Sequence, residues 1–199
     1  MRLWLVRHGE TDANVAGVFC GHAPAVLTAR GIEQARSLQT LLQDIPFDKV
    51  ICSELARAQH TARLVLADKN VPVETTPLLN EMFFGDWEMR HHRDLAEEDV
   101  ENWASWCADW ENTVPPGGEG FQDFSARVRE FIATLANQSQ QENMLIVSHQ
   151  GVLSLFIALL LKMPAAALWH FHLDQGCWSL IELTDDFATL RVLNSRASA

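Results

Sequence analysis

The chain has 199 residues, and 26 Asp and Glu against 15 Lys and Arg give a formal charge of −11. The length and a hydrophobic fraction of 48% suit one globular domain, with or without an insertion, and argue against a disordered chain. An acidic chain of this kind lacks the basic surface that binds a phosphate backbone, so we expect no nucleic-acid partner.

The sequence shows no targeting or membrane segment. It enters an apolar, strand-like run without a signal-peptide cleavage site, and its longest apolar stretch, residues 152–161, is about half the length that crosses a bilayer. We therefore expect a cytoplasmic protein with no membrane span, and the sequence leaves its oligomeric state open. The cysteines are widely spaced, which predicts free thiols rather than a zinc or disulfide framework: Cys20, Cys52, Cys107 and Cys177.

Short strand patterns alternate with helical patterns in the first half of the chain. Residues 2–6 and 49–52 are typical of strands. Thr28 can cap the helix that follows the first strand, and Ser53 can cap the helix that follows the second. Apolar residues at the 3.6-residue period predict one face of the first helix: Ile32, Ala35, Leu38, Leu41 and Leu42.

The alternation resumes near residue 121 with an amphipathic helix, a buried strand at 144–147, an apolar helix from Val152, and strands at 177–183 and 188–193. This order predicts an α/β fold with a mostly parallel central sheet and helices on both faces. Residues 82–120, rich in tryptophan, break the pattern. We expect one domain over 1–199, with a helical insertion at about 82–120 covering the active-site end.

Three predicted strands deliver polar residues to one edge of the sheet. His8 follows the first strand, Arg57 lies about one turn into the helix after the second, and His149 follows the strand at 144–147. Ligands of open α/β sheets bind at the carboxyl ends of the strands. We therefore expect these residues to share a site, with Glu81 supplying a carboxyl group just before the insertion.

These residue types suit phosphoryl transfer through a covalent histidine. Arg7, Arg57 and His149 can stabilise the charge on the transferring phosphoryl group, and a neutral His8 can attack phosphorus. Glu81 can protonate the leaving alkoxide and then take a proton from the attacking water. This chemistry requires no metal and no cofactor.

The segment Leu5-Val6-Arg7-His8-Gly9-Glu10-Thr11 resembles the signature of the histidine phosphatase, or phosphoglycerate mutase-like, superfamily. Later elements follow in the matching order, ending with Ser148-His149-Gln150-Gly151. The resemblance implies that His8 is the phosphorylated nucleophile, that Glu81 is the general acid and that Asn14 is an auxiliary phosphate contact. It implies a phosphate site made by the following residues: Arg7, Gly9, Asn14, Arg57, His149 and Gln150.

Within the superfamily, residues 80–95, 118–124 and 174–179 resemble alpha-ribazole phosphatases of cobalamin nucleotide-loop assembly. This likeness implies a metal-independent phosphomonoesterase acting on alpha-ribazole 5'-phosphate or adenosylcobalamin 5'-phosphate. The alternatives are a broad-specificity sugar phosphatase, a phosphoglycerate mutase, a metal-dependent hydrolase and an inactive phosphate-binding module. A mutase needs extra cations for a second phosphate, whereas the tryptophan-rich insertion suits a neutral aromatic leaving group.

Several residues outside this set have open roles. The adjacent His91 and His92 are poorly placed to chelate a metal. Trp103, Trp106 and Trp110 are spaced as a helical stripe that we expect to be buried, although one indole could instead stack on substrate. His22, Arg90 and Arg93 could also contact substrate. Residues 94–111 carry seven acidic residues and no Lys or Arg, so this segment contributes −7 of the −11.

Overall fold

A single sheet positions the predicted site. In the computed structural model, which describes residues 1–67, 69–135, 143–185 and 187–199, the described strands form a six-stranded sheet in the order β3-β2-β4-β1-β5-β6. The strands are β1 (Arg2–Arg7), β2 (Lys49–Ser53), β3 (Val73–Thr76), β4 (Asn143–Ser148), β5 (Trp178–Thr184) and β6 (Phe187–Ser195).

Four neighbouring strands of this sheet run parallel. β3, β2, β4 and β1 form parallel pairs, whereas β5 is antiparallel to both β1 and β6. Arg7 lies opposite Ser148, and Cys52 lies opposite Val147. The register therefore brings the carboxyl ends of β1, β2 and β4 to one edge, as the sequence predicts.

The helices of the described residues include those that the periodicity predicts. Thr28 caps its helix as expected, because its side chain accepts a hydrogen bond from the Gly31 N–H. The α-helices are α1 (Asp12–Ala16), α2 (Ala29–Leu41), α3 (Ala56–Leu66), α4 (His92–Glu98), α5 (Val100–Ala108), α6 (Phe121–Leu135) and α7 (Gln150–Leu160). Short 3₁₀ helices lie at Pro77–Leu79, Gly85–Trp87 and Ala165–His170.

Alternation along β1 divides the core into two layers. Leu3 and Leu5 pack in a cluster with residues of α6 and α7, while Trp4 and Val6 pack in a second cluster with residues of α2 and α3. Successive side chains of a strand point to opposite faces, so a strand buried on both faces is apolar throughout. The predicted α/β fold, with a mostly parallel sheet and helices on both faces, is confirmed.

Two local predictions need correction. The helix after β2 begins at Ala56 with Leu55 as its N-cap, so Ser53 does not cap it. Ser53 instead donates to Asn80 from a fully buried position. The strand β3 is absent from the prediction because its side chains are largely exposed and lack an apolar run. Backbone pairing with β2 holds it in the sheet.

Residues 82–120 contain α4 and α5. That this range is an insertion into the domain stays a prediction. The expectation of a buried tryptophan stripe is wrong in part, since α5 has no buried residue and Trp110 lies beyond its end. Trp103 and Trp106 are half-buried and pack against the fully buried Trp87. No helix in the described part of the chain is long and apolar enough to span a membrane.

Candidate active site

His8 lies just beyond β1 with its proton position set by the backbone. Its Nδ1 is 2.8 Å from the carbonyl oxygen of Gly9. A carbonyl can only accept, so Nδ1 carries the proton and Nε2 keeps its lone pair. Burial, together with the nearby Arg57 and Arg7, lowers the pKa of His8 to about 3, although the hydrogen bond to Gly9 opposes the shift. The imidazole is therefore a neutral base at pH 7.

His149 faces His8 from the end of β4. The centroids of the two rings are 5.1 Å apart, and the His149 side chain is fully buried. Its Nε2 is 2.8 Å from the Ser53 hydroxyl, whereas its Nδ1 is buried without a hydrogen-bond partner. Burial lowers the pKa of His149 well below 6.5, and the neighbouring His8 and Arg57 lower it further.

Arg7 is held by the first residue of α7 and by the segment that precedes β5. Its Nη1 donates to Gln150 Oε1 at 3.1 Å and to the Leu173 carbonyl at 2.9 Å, while its Nε is buried without a partner. The amide group of Gln150 donates in turn to Ser154 and to the Phe171 carbonyl. Gln150 therefore holds Arg7 in place, with its side-chain groups already engaged by the protein.

Arg57 projects from the first turn of α3 and is almost completely buried. Its guanidinium donates to three carbonyls, those of Cys20, Gly21 and Ala23. No carboxylate of the described residues forms an ion pair with it. A buried cation without a counter-ion is costly, and an anionic ligand would supply the missing charge.

Glu88 organises the loop 20–23 that receives Arg57. Its carboxylate accepts hydrogen bonds from the backbone N–H groups of Gly21, His22, Ala23 and Phe84 at 2.9–3.1 Å. The N–H groups of the loop thus donate to Glu88, and its carbonyls accept from Arg57. The sequence alone assigns no role to Glu88, because nothing in the local sequence indicates this long-range contact.

Glu81 lies at the edge of the site on the segment that follows the 3₁₀ helix Pro77–Leu79. Its carboxylate accepts from the backbone N–H groups of Met82 and Gly151, both at 3.0 Å. Arg127 donates to the Glu81 carbonyl at 3.0 Å and pairs with Glu119. His22 also donates to that carbonyl through Nε2 at 2.9 Å, so its ring lies beside the acid.

Gly9 and Asn14 form hydrogen bonds with other residues of the chain around the site. The Gly9 N–H donates to Thr61 Oγ1, and a Cβ at Gly9 would lie 2.4 Å from the Gly31 carbonyl. The side-chain oxygen Oδ1 of Asn14 accepts hydrogen bonds from Thr11 and from Gln175, which fixes the orientation of the side-chain amide. The described contacts leave the Nδ2 donor of Asn14 available to a ligand.

We call His8, His149, Arg7 and Arg57 together the His–Arg pocket. It combines the buried guanidinium group of Arg57 and the half-buried one of Arg7 with two neutral imidazoles. Two of its buried nitrogens, Arg7 Nε and His149 Nδ1, have no hydrogen-bond partner. Buried polar groups in native proteins are normally paired, so these atoms indicate a ligand with oxygen acceptors and negative charge.

A second feature, the aromatic cavity, adjoins Glu81 and Gly151. It has a volume of about 390 Å³ and is lined mainly by aromatic rings from residues 82–120 and from the segment after α7. The aromatic lining includes Phe19, Phe84, Trp106, Trp110, Phe121 and Trp169. The arrangement can hold a flat apolar group next to the carboxyl group of Glu81.

The adjacent His91 and His92, which a metal site could use, pack against each other. Their ring centroids are 4.1 Å apart, and His91 Nδ1 accepts from the Arg93 N–H. Across the described ranges, no group of three or more His, Cys, Asp or Glu side chains is placed to hold a metal ion. Arg90 pairs with Glu98.

Residues 3–196 match the model of the histidine phosphatase superfamily (branch 1). The chain belongs to this superfamily. It is 66% identical to the adenosylcobalamin/alpha-ribazole phosphatase of Escherichia coli (strain K12) over 197 residues, which cover 99% of this chain and 97% of that protein. The phosphatase of the same name from Salmonella typhimurium (strain LT2) is also 66% identical, with 99% and 98% covered.

Solved structures extend the likeness to three dimensions. The crystal structure of the alpha-ribazole phosphatase from Shigella flexneri matches with a TM-score of 0.98 and 66% identity, covering 100% of this chain and 98% of that chain. The predicted superfamily and the predicted phosphatase class of enzyme are therefore confirmed.

Proposed function

We propose that this histidine phosphatase hydrolyses alpha-ribazole 5'-phosphate, or its corrinoid-linked form adenosylcobalamin 5'-phosphate, through a phosphohistidine at His8. The observation that carries the proposal is the state of His8. Its Nδ1–H donates to the Gly9 carbonyl, its pKa is lowered to about 3, and its Nε2 carries a lone pair near the guanidinium groups of Arg7 and Arg57. This is the state that a nitrogen nucleophile needs to attack a phosphate ester.

In the first step, His8 Nε2 forms a bond to phosphorus and the ester P–O bond breaks. Arg7, Arg57 and His149 stabilise the charge on the phosphoryl oxygens, with Asn14 Nδ2 as an auxiliary donor. Glu81, protonated at this stage, gives its proton to the leaving alkoxide. Gly9 acts through its carbonyl, which orients His8, and Gln150 acts by holding Arg7.

In the second step, water attacks the phosphohistidine and the N–P bond breaks. Glu81, now a carboxylate, takes the proton from this water, so it returns to its starting state. Inorganic phosphate leaves, and His8 is again neutral. Both carboxylate oxygens of Glu81 accept backbone hydrogen bonds, which fixes the group next to Gly151 at the entrance of α7.

The aromatic cavity supports the choice of substrate. Alpha-ribazole carries a flat aromatic base, and the cavity next to Glu81 is apolar and lined by aromatic rings. Relatives with 66% identity over nearly the whole chain carry the name alpha-ribazole phosphatase. A sugar phosphatase would instead need polar groups for the substrate hydroxyls.

Two of the arginines that a mutase could use are engaged elsewhere. Arg127 pairs with Glu119 and donates to two carbonyls, and Arg90 pairs with Glu98. Neither side chain is available to hold a second phosphate or a carboxylate of a bisphosphorylated intermediate. These pairings favour hydrolysis over phosphoryl transfer between hydroxyl groups.

The test measures phosphate release from alpha-ribazole 5'-phosphate, sugar phosphates and phosphoglycerates. We expect the highest kcat/KM for alpha-ribazole 5'-phosphate, full activity in the presence of a chelator, and an acid-labile phosphoenzyme after rapid quenching. His8→Ala should abolish the phosphoenzyme. A preference for phosphoglycerates, or interconversion of them without phosphate release, would contradict the proposal.

Glu81→Gln tests the acid role separately. Esters with poor leaving groups should slow more than aryl phosphates, because an activated leaving group needs less protonation. Equal losses for both kinds of ester would remove Glu81 from the acid role while leaving the nucleophile in place.

A further inference from the structure

The hydrogen bonds around Ser53 determine where His149 carries its proton. The buried Ser53 hydroxyl lies 2.8 Å from His149 Nε2, 2.8 Å from Asn80 Oδ1 and 3.1 Å from the Leu55 N–H. A hydroxyl has one proton to donate and two lone pairs to accept with. Three partners therefore use its whole capacity.

The Asn80 amide sets the direction of this network. The backbone N–H of Glu54 donates to Asn80 Oδ1 at 3.0 Å, so the atom that faces Ser53 is the carbonyl oxygen. Ser53 must give its only proton to that oxygen. Its lone pairs then accept from the Leu55 N–H and from His149, so the proton of a neutral His149 lies on Nε2.

A neutral His149 then has a bare Nδ1, which cannot donate to a phosphate oxygen. This nitrogen is buried and has no partner. Burial lowers the pKa of His149, and the titratable groups around it lower it further, so the ring is neutral. These neighbouring groups are His8 and Arg7 at the end of β1, Arg57 on α3 and Arg127 on α6.

We propose that Ser53 and Asn80 are positioning residues that hold one proton on His149 Nε2, so that a bound phosphate dianion adds a second proton at Nδ1. The proton comes from solvent when the dianion binds and returns to solvent when inorganic phosphate leaves, and no other bond changes. The imidazolium then donates Nδ1–H to a phosphoryl oxygen. This inference rests on the proposed function, since the phosphate must bind beside His149.

Sulfate is the probe, because it stays a dianion between pH 7 and 9 and takes up no proton itself. With one proton bound per sulfate, its Kd should rise about tenfold per pH unit over this range. In Ser53→Ala the ring is free to place its single proton on Nδ1, so this dependence should flatten. Ser125→Ala, which removes a buried hydroxyl from α6, is the matched control and should keep the wild-type dependence.

Nuclear magnetic resonance of ¹⁵N-labelled histidine reads the proton position without a ligand. His149, assigned through His149→Asn, should show the Nε2–H tautomer in the wild-type protein and a changed tautomer signature in Ser53→Ala and Asn80→Ala. An Nδ1–H tautomer in the wild-type protein overturns the proposal. A sulfate Kd that does not change with pH in the wild-type protein also overturns it. So does a pH dependence of this Kd that persists in Ser53→Ala but disappears in His8→Asn.

Phosphate release from alpha-ribazole 5'-phosphate is measured on the same samples. Full wild-type activity combined with a flat sulfate dependence overturns the positioning role alone. A steep dependence combined with no phosphate release supports the positioning role and overturns the proposed function alone.

Discussion

The His–Arg pocket and the aromatic cavity are built in different ways. The pocket takes its residues from strand ends and helix starts, and backbone groups or other side chains hold each of them through at least one hydrogen bond. The cavity is lined by rings from residues 82–120, from the loop after α1, from α6 and from the segment after α7, and Trp169 on its wall is 66% exposed.

This difference suits the two regions to different tasks, phosphoryl transfer in the pocket and substrate recognition in the cavity. Phosphoryl transfer depends on cations and a nucleophile placed to within a fraction of an ångström, and the sheet edge supplies rigid anchors for them. Recognition of an aromatic group depends on apolar area, which tolerates a less regular support. Changes in the pocket should therefore affect every substrate, whereas changes in the cavity should affect only substrates with an aromatic group.

Arg57→Ala is the strongest test of this separation. It removes a buried cation from the pocket, and loss of one such charge-stabilising group costs roughly 10²–10³-fold in kcat. We expect an equal loss for alpha-ribazole 5'-phosphate and for a small alkyl phosphate. Arg57→Lys should restore little, because an ammonium group cannot replace the planar donors that reach Cys20, Gly21 and Ala23. A loss confined to one substrate would contradict the comparison.

Glu88→Gln tests whether the loop 20–23 positions Arg57. An amide NH₂ group facing the N–H donors of the loop should displace its carbonyls from the guanidinium. We expect kcat/KM to fall roughly 10- to 100-fold for both substrates, as for other small displacements of a catalytic group. Asp86→Asn, which neutralises an exposed carboxylate two residues away, is the matched control. Equal rates for the two variants would remove Glu88 from this role.

Acid should destabilise the protein through the histidines of the His–Arg pocket. The pKa of His8 is lowered to about 3, and that of His149 is lowered well below 6.5. Below pH 6.5 the unfolded chain binds protons that the native protein does not bind, so the unfolded state gains stability. His8 should lower the free energy of unfolding by about 1 kcal/mol per pH unit as pH falls from 6.5 towards 4.5, and His149 should act in the same direction.

Denaturant unfolding at several pH values measures this slope. His8→Asn should remove the contribution of one histidine. A slope unchanged by the substitution would mean that the native protein protonates His8 as readily as the unfolded chain does.

Trp169→Ala should give the smallest and most selective effect. It removes an exposed ring from the cavity wall, and an aromatic contact contributes about 0.5–1.5 kcal/mol. We expect KM for alpha-ribazole 5'-phosphate to rise about 2- to 10-fold, with no change for a small alkyl phosphate. Phe187→Ala, which removes an exposed ring from β6, should leave both substrates unaffected. A parallel change in both substrates would mean that the cavity supports the chemistry as well.

The local sequence determined the parts of this enzyme that depend on short-range patterns. Apolar periodicity predicted β1, β2, β4, α2, α6 and α7, because each buries a face whose spacing repeats along the chain. Parallel strands share a carboxyl edge, so the same patterns placed His8, Arg57 and His149 together. Burial on two faces also explains why the apolar β4 was recognised and the exposed β3 was missed.

Only the tertiary structure decided the contacts between residues far apart in the chain. Ser53, predicted as a helix cap, bonds to His149 and Asn80, and Glu88 reaches back to the loop 20–23. Spacing along the chain carries no information about such pairs, because each depends on how two elements pack in three dimensions. The same packing left Trp106 and Trp110 half-buried in the wall of a cavity, where periodicity alone predicted a buried stripe.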